Sequence, residues 1–383
     1  MKVQKISILA LPVMLAGCSA SKYVQEGEYI LNKVEVKSDS AAYDAGALKQ
    51  YVRQKEKPKL FSLFHNPFSK KPVVYDTLQA QLSCRDLLTA MQNQGFLHAG
   101  VTLQTTIYGQ EKTDSIAEKS RKKAPKVDVT YMLHPGEPFH IGKVEYDIED
   151  KNIEQILKLD NPENQKIKPG MRFTVDALDA ERKRIANRLL DDGYFRFNKD
   201  FIQFSADTIA GQKDIAVTLN LLKYKASSNA PETDHPRYEI RNISYQSNDS
   251  DRIHLRHRVL LNATALEEGK PYSASALQRT YNNFARLQAV KYTNIRFSEV
   301  AGNEIDSASV STSEIPSDST MNRLLDCHIQ ISTNKPSTIS FQPEGTNTAG
   351  DLGAAASLTY TNRNLFRGSE QLSIQLRGAY EAI

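Results

Sequence analysis

The residue types that most often carry chemistry are sparse in this sequence. His254 and His257 are three positions apart, a spacing that can place two imidazoles on one face of a short helix as metal ligands. Three arginines surround them, Arg252, Arg256 and Arg258, and these would repel a bound cation. The alternative is a solvated basic surface, and the lack of a nearby acidic or cysteine ligand favours it over a metal site.

A cysteine beside a histidine, at Cys327 and His328, is a second candidate for chemistry. The two lie in a predicted strand, where successive side chains point to opposite faces, so they cannot act together. Cys84 is 327 − 84 = 243 positions away, which favours two isolated thiols over a disulfide. Asp191 and Asp192 are interpreted as an ordinary helix end. The sequence therefore predicts no catalytic residue, no metal site and no cofactor, and we expect no enzyme activity.

Composition narrows the function further. The 383 residues are 40% hydrophobic and 25% charged, enough to bury several cores. The 49 Lys and Arg residues exceed the 45 Asp and Glu residues by only 4, too little to indicate a nucleic-acid partner. No pattern of a small-molecule substrate site is evident.

The N-terminus has the features of an export signal. Lys2 and Lys5 precede an apolar run over residues 6–15 that is too short to span a bilayer as a helix. The Leu-Ala-Gly-Cys sequence that ends at Cys18 resembles a bacterial lipobox, which implies acylation of Cys18 and a mature protein that starts there. Ser19 then favours the outer membrane. An ordinary signal peptide with an incidental cysteine is the alternative.

Three repeats of about 100 residues follow. Gly95 and Gly193 each end a helical stretch and precede an aromatic residue, and the interval of 193 − 95 = 98 also aligns the apolar faces of the two preceding helices. An interval of 99 aligns residues 169–174 with 268–273, where Thr174 and Ser273 are predicted helix N-caps. The third repeat has residues 287–290, Leu-Gln-Ala-Val, where Gly-Tyr is expected.

Each repeat has the order strand, short helix, longer helix, strand, strand, which predicts a two-layer α+β domain. This order, with its Gly-aromatic pair after the second helix, resembles the polypeptide-transport-associated (POTRA) domain. The resemblance implies that client strands add to an exposed sheet edge in each repeat, at residues 97–107, 197–205 and 291–297.

The pattern changes after Pro336. Residues 344–353 are rich in glycine, but the flanking segments are strand-like and the expected phosphate-binding lysine is missing, so we interpret the run as a turn. Residues 371–380 alternate strictly between apolar and polar, a pattern typical of a membrane β-strand and also of a strand in a soluble sandwich.

The run Asn-Arg-Asn-Leu-Phe-Arg-Gly-Ser-Glu at residues 362–370 resembles the first hairpin of the barrel in the BamA/TamA outer-membrane superfamily. With the lipobox and three POTRA-like repeats, the chain resembles the lipoprotein subunit of a translocation and assembly module. The family's barrel has more strands, so we interpret the chain as an N-terminal fragment or a truncated gene product. The hairpin motif comprises Asn364, Phe366, Arg367, Gly368 and Glu370.

The resulting fold class is α+β: tandem POTRA-like β-α-α-β-β domains followed by the first strands of a transmembrane antiparallel β-barrel. The predicted boundaries are a signal peptide at 1–17, a lipidated linker at 18–28, POTRA-like domains at 29–136, 137–231 and 232–333, and a truncated barrel start at 334–383.

One further stretch, residues 51–71, interleaves basic and aromatic side chains. It suits an anionic headgroup surface or a partner protein, although a loop that packs its aromatics into its own domain would show the same pattern. The candidate partner-binding residues are Lys55, Lys57, Lys59, Phe61, Phe64, Phe68, Lys70 and Lys71.

The resemblance implies an outer-membrane assembly or translocation factor. Its partners would be outer-membrane lipid and either client outer-membrane proteins or a periplasm-spanning TamB-like protein that delivers lipid. The alternative is a lipid-anchored periplasmic scaffold, or a receptor for a secretion partner, without a functional barrel.

Overall fold

The computed structural model describes residues 27–56, 72–109, 125–208, 213–248, 252–300, 323–348 and 351–381. Within these ranges the strands form four three-stranded sheets. Each of the first three sheets belongs to one repeat, and the fourth follows the third repeat. The α+β repeats predicted from the sequence are confirmed.

The elements follow the predicted order in each repeat. The first repeat contains β1 (Ile30–Ser38), a 3₁₀ helix (Gly46–Tyr51), α1 (Thr77–Asn93), β2 (Gly100–Tyr108) and β3 (Lys126–His134). The second contains β4 (His140–Asp147), α2 (Lys151–Lys158), α3 (Val175–Asp191), β5 (Ile202–Thr208) and β6 (Asp214–Leu221). The third contains β7 (Tyr238–Ser247), α4 (His257–Ala263), α5 (Ala274–Ala285), β8 (Val290–Glu299) and β9 (Arg323–Thr333).

The last strand of each repeat is the central one, with the orders β1-β3-β2, β4-β6-β5 and β7-β9-β8. β3 runs parallel to β1 and antiparallel to β2, and β9 has the same relation to β7 and β8. Central strands are buried on the helix-covered face, which explains the alternating burial of β3 and β9.

The long helix of each repeat packs its predicted apolar stripe into the core. Leu87 and Met91 of α1, Ile185 and Leu189 of α3, and Phe284 of α5 are completely buried. The predicted N-caps are also confirmed: the Thr174 hydroxyl accepts a hydrogen bond from the Ala177 N–H, and that of Ser273 accepts one from the Ala276 N–H. Among the described residues, no helix is long and apolar enough to cross a membrane.

Packing divides the described residues into two compact units. One comprises those within 1–144, 167–178 and 206–216, and the other those within 145–166, 179–205 and 217–383. The first unit holds the core of the first repeat, around Leu87, Met91 and Tyr131. The second unit holds the core of the third repeat, around Phe284, Cys327 and Ile329.

The fourth sheet corrects one prediction. It contains β10 (Ser337–Thr348), β11 (Asp351–Asn362) and β12 (Leu372–Glu381), paired antiparallel in that order. The glycine-rich run at 344–353, interpreted above as a turn, mostly continues the strands, since Glu344 pairs with Ala355 and Gly345 with Ala354. A glycine-rich segment can form a strand when its backbone hydrogen-bonds to a neighbouring strand, as β10 and β11 do here.

The Gly-aromatic pairs lie where one repeat meets the next. Gly95 has a φ of 92°, and its carbonyl accepts a 2.8 Å hydrogen bond from the N–H of Phe139, just before β4. A Cβ on Gly95 would lie 2.2 Å from the carbonyl oxygen of Phe173. Gly193 repeats the arrangement, with a φ of 102° and a carbonyl that accepts a 2.8 Å bond from the Tyr238 N–H. Glycine is therefore required both for the left-handed backbone and for the close approach of the next segment.

We predict that Gly95→Ala loosens this junction more than Gly170→Ala does. Both glycines have positive φ, at 92° and 85°, so both substitutions incur the left-handed cost of about 1–2 kcal/mol. Only Gly95 is also crowded, because nothing lies within 4 Å of a Cβ at Gly170. Amide hydrogen exchange at Phe139 should accelerate in Gly95→Ala and stay near the wild-type rate in Gly170→Ala. Equal exchange in the two variants would contradict the crowding argument.

Candidate functional site: open strand edges and a docked turn

One edge of each repeat's sheet is covered at its start by the segment that precedes the long helix. In the first repeat, the Leu31 N–H donates to the Val73 carbonyl at 2.8 Å and the Tyr75 N–H donates to the Tyr29 carbonyl at 2.8 Å. These bonds pair the backbone at the start of β1, so the chain itself covers that end of the edge.

The other two repeats close the same edge in the same way. The Ile141 N–H of β4 donates to the Met171 carbonyl at 2.7 Å, and the Ile141 carbonyl accepts from the Gly170 N–H at 2.7 Å. In the third repeat, the Ile240 N–H of β7 donates to the Lys270 carbonyl at 2.9 Å. The Glu268 carboxylate also accepts a 2.7 Å bond from the Ile243 N–H, which extends the cover along β7.

The opposite edge of each sheet is formed by the second strand: β2, β5 or β8. Within the described ranges, no further strand pairs with these edges. The edge strands β2, β5 and β8 include most of the segments predicted to accept client strands. In the first two repeats the strands begin later than predicted, at Gly100 and Ile202. On β2, the apolar side chains of Ile107 and Tyr108 are 44% and 51% exposed beside this edge. Each repeat thus has one edge that its own chain partly covers and one edge that is open within the described residues.

Asp191 has a role that the sequence did not indicate. Asp191 ends α3, as the sequence predicted, but this helix end also makes contacts with the next repeat. The Asp191 carboxylate accepts hydrogen bonds from the Ser273 hydroxyl at 2.9 Å and from the Ser275 N–H at 2.7 Å, at the start of α5 in the next repeat. The Asp192 carbonyl accepts a 2.7 Å bond from the Arg237 guanidinium. The end of α3 therefore holds the beginning of the third repeat.

Aromatic packing reinforces the same junction. The ring of Phe195 lies 5.6, 5.0 and 5.4 Å from the rings of Tyr238, Tyr272 and Phe297, all of the third repeat. Arg196, the next residue, forms an ion pair with Glu299 at the end of β8. Edge-to-face aromatic contacts add about 0.5–1.5 kcal/mol each beyond their area burial, so the two repeats are firmly joined here.

The predicted hairpin motif forms a compact turn between β11 and β12. The Glu370 carboxylate accepts hydrogen bonds from the Phe366 N–H at 3.3 Å and the Gly368 N–H at 3.0 Å. The Asn364 side chain accepts a 3.1 Å bond from the Ser369 N–H across the turn. A Cβ at Gly368 would overlap a Glu370 carboxylate oxygen, so a larger residue there would have to displace this carboxylate from the turn. The motif thus brings together all five residues that the sequence predicted for it.

This turn docks on the third repeat through backbone groups. The Arg256 N–H, just before α4, donates to the Arg367 carbonyl at 2.8 Å. The Asn364 amide donates to the His254 carbonyl at 2.6 Å, and the Ser369 hydroxyl accepts a 2.9 Å bond from the Ala289 N–H. Ala289 takes the position of the missing Gly-Tyr pair, and its carbonyl accepts a 2.8 Å bond from the Asn334 N–H.

Two residues of the docked turn adopt a left-handed backbone without being glycine. Arg367 has a φ of 62° and Ser369 a φ of 67°. Each conformation costs about 1–2 kcal/mol for a residue with a Cβ. Arg367 and Ser369 are also the residues whose oxygens bond the third repeat, so the docking contacts hold the strained conformation in place.

The fourth sheet has one apolar and one polar face. Directly paired residues lie on the same face, and the apolar rows are Ile339 with Tyr360 and Ile374, and Phe341 with Leu358 and Leu376. Ile339 is 73% exposed and Leu376 is 67% exposed. The opposite face carries the ion pair between Glu344 and Arg377 at 2.8 Å. The described part of this sheet therefore has an exposed, largely apolar face and a polar face, and exposed apolar patches of this kind mark interaction surfaces.

The remaining chemistry-bearing residues have structural roles. His257 begins α4 and packs edge-on against Tyr245, with ring centroids 6.0 Å apart. Burial raises the pKa of the Cys327 thiol to about 12, which keeps it protonated, whereas His328 bonds Ser244 at 2.8 Å and Ser298 at 3.0 Å on either side of β9. Within the described residues, no cluster of three or more possible metal ligands occurs.

Most of the candidate partner-binding stretch falls outside the described residues. Lys55 is described and exposed. The other predicted site residues of this stretch and the predicted lipidation site lie outside the described ranges: Cys18, Lys57, Lys59, Phe61, Phe64, Phe68, Lys70 and Lys71.

Several solved structures are similar to the part of this chain that contains the repeats. POTRA domains 3–5 of Haemophilus influenzae BamA match at 14% identity and a TM-score of 0.38, covering 81% of this chain and 99% of that one. BamA from Haemophilus ducreyi lacking POTRA domains 1–3 matches at 14% identity and a TM-score of 0.36, covering 63% of this chain and 43% of that one. CdiB from Acinetobacter baumannii matches at 9% identity and a TM-score of 0.31, covering 64% and 39%.

The chain therefore spans less than half the length of the last two proteins. No family model and no curated protein matches the sequence. By its own element order and strand pairing, the chain consists of tandem POTRA-like domains followed by an antiparallel three-stranded sheet.

We predict that Glu370→Gln weakens the docking of the turn. Hydrogen bonds from its own N–H, then from those of Gly368 and Phe366, hold the pKa of the Glu370 carboxyl below its usual value. Because a neutral amide accepts these bonds less strongly, amide exchange at Arg256 and Ala289 should accelerate. The matched control is Glu344→Gln, an exposed position on β10.

Acid should have the same effect on the turn in the wild-type chain. A carboxyl whose pKa is lowered on folding contributes stability above its unfolded pKa, about 4.3, and loses it as the pH falls through the folded pKa. Exchange at Ala289, compared with global unfolding, should therefore accelerate below about pH 4 in the wild type and show no such step in Glu370→Gln. Identical acid profiles in the two proteins would contradict this role of Glu370.

Proposed function

We propose that this chain is the periplasmic receiving part of an outer-membrane assembly or secretion factor. Its repeats accept extended segments of client proteins by strand addition, and the fourth sheet begins the membrane-embedded part that receives them. The role is binding and delivery and involves no catalysis. The observation that carries the proposal is that each repeat's chain covers the start of the first-strand edge and leaves the second-strand edge open within the described residues.

Strand addition suits clients of unrelated sequence. Backbone groups of the edge strand supply the hydrogen bonds, so affinity depends little on the client's side chains. The segments that cover the starts of β1, β4 and β7 obstruct pairing there, which favours the second strand as the acceptor edge of each repeat.

The fourth sheet supports the membrane part of the proposal. Its rows of apolar side chains on one face and polar ones on the other follow the alternation of a transmembrane β-strand, with apolar residues towards lipid. The docked turn at 362–370 joins this sheet to the third repeat. This amphipathic sheet favours a membrane-embedded factor over a free scaffold.

The finer assignment rests on the sequence. The lipobox-like ending at Cys18 and the POTRA-like repeats together support a lipoprotein of the translocation and assembly module, similar to TamL, at the outer membrane with its repeats in the periplasm. Its partner would be client outer-membrane proteins or a TamB-like periplasmic protein.

Site-specific photo-crosslinking tests strand addition. A benzoylphenylalanine at Gln104, exposed on the open strand β2, should yield adducts with outer-membrane proteins in cells. The same group at Lys33, exposed on the closed strand β1, is the matched control and should yield none or far fewer. Equal adducts at the two sites, or none at Gln104, would argue against the proposal.

A labelling experiment tests the lipid anchor. Cells fed an alkyne-bearing fatty acid should label the wild-type protein, and Cys18→Ser should remove the label and release the protein from membranes. Cys84→Ser, at a half-buried thiol on α1, is the control and should keep both the label and the membrane association. Label retained in Cys18→Ser would disprove acylation at this residue.

A further inference from the structure

The third repeat differs from the other two at its open edge. Tyr281 of α5 reaches over β8, and its hydroxyl accepts a 3.1 Å hydrogen bond from the Ile295 N–H. The same hydroxyl lies 3.5 Å from the Ile295 carbonyl, to which it donates. One side chain therefore satisfies both backbone groups of a residue in the middle of the strand.

The hydrogen-bonding pattern of β8 shows that the N–H and C=O of Ile295 point towards the open edge. Residues of an antiparallel strand direct their N–H and C=O alternately towards the neighbouring strand and away from it. The Val300 N–H donates to the Leu324 carbonyl of the β9 segment, so even-numbered residues here face β9. Pairing runs without a shift from Thr293 to Glu299, which places the groups of Ile295 outward, flanked by those of Thr293 and Phe297.

The equivalent helix positions in the other repeats carry different residues. The intervals of 99 and 98 align Tyr281 with Arg182 on α3 and with Cys84 on α1. The Arg182 guanidinium lies over the ring of Phe204 on β5, 5.3 Å from its centre. The Cys84 side chain is short, half-buried and packed against the core of the first repeat. Neither residue type carries a hydroxyl that can both accept and donate at the edge.

We propose that Tyr281 is a specificity-determining residue that guards the β8 edge, so that client strands add preferentially to β2 and β5. A strand that pairs with β8 must displace the Tyr281 hydroxyl from both groups of Ile295. The net worth of such a hydrogen bond, about 0.5–1.5 kcal/mol, corresponds to a two- to tenfold weaker affinity at the third repeat. This inference rests on the proposed strand addition and deepens it.

Tyr281→Phe in the full chain tests the guard, because it keeps the ring and removes only the hydroxyl. The first measurement is amide exchange at Ile295, which should accelerate two- to tenfold in the variant.

The second measurement is paramagnetic broadening of edge amides by a nitroxide-labelled peptide of eight alternating valines and threonines. Its affinity for β8 should rise two- to tenfold in Tyr281→Phe, with β2 and β5 unchanged. Tyr292→Phe, at a 51% exposed tyrosine on the same strand, is the matched control and should change neither measurement.

The outcomes separate the guard from the proposed function. Broadening at β2 and β5 with no gain at β8 in Tyr281→Phe would overturn the guard and leave strand addition standing. Unchanged exchange at Ile295 would overturn the guard without reference to any peptide. Broadening at none of the three edges, in wild type or variant, would overturn strand addition and the guard with it.

Discussion

Backbone N–H and C=O groups at the edge of a sheet must find partners, and in this protein the position of one strand in each repeat decides where they do. Because the last strand is central, each repeat has exactly two edges, formed by the first and second strands. The start of the first is covered by the short segment before the long helix, where a glycine at 170 or 269 with positive φ turns the chain beside β4 or β7. The asymmetry that the proposed function needs is thus a consequence of chain order.

Backbone hydrogen bonds also join the repeats to one another. The carbonyl that ends the long-helix turn, at Gly95, Gly193 or Ala289, accepts an N–H from the segment that follows the repeat. At the first two junctions that segment starts the next repeat, and at the third it leads into the fourth sheet. A single type of contact therefore serves a domain–domain junction and a domain–sheet junction, which is why a repeat without Gly-Tyr still fits the series.

The sequence predicted what depends on local pattern and missed what depends on register. Helix stripes, caps and the alternation of β12 follow from periodicity, and Gly95 and Gly193 could be recognised because a positive φ after a helix favours glycine. The strand content of residues 344–353 depended on pairing with β11 and was hidden by glycine. Asp191 and Tyr281 look ordinary in sequence, since their partners are 82 and 14 residues away and only the fold brings them together.

The docked turn shows how local strain can be coupled to a distant contact. Arg367 and Ser369 adopt left-handed backbones that neither would favour alone, and the bonds from Arg256 and Ala289 compensate for them. If the fourth sheet moves away from the third repeat, these bonds are lost and the turn is free to relax, which lowers the energetic cost of separation. The turn therefore couples the fourth sheet to the third repeat through the backbone bond from Arg256 and the bond from the Ala289 N–H to the Ser369 hydroxyl, in a geometry that the Glu370 carboxylate shapes.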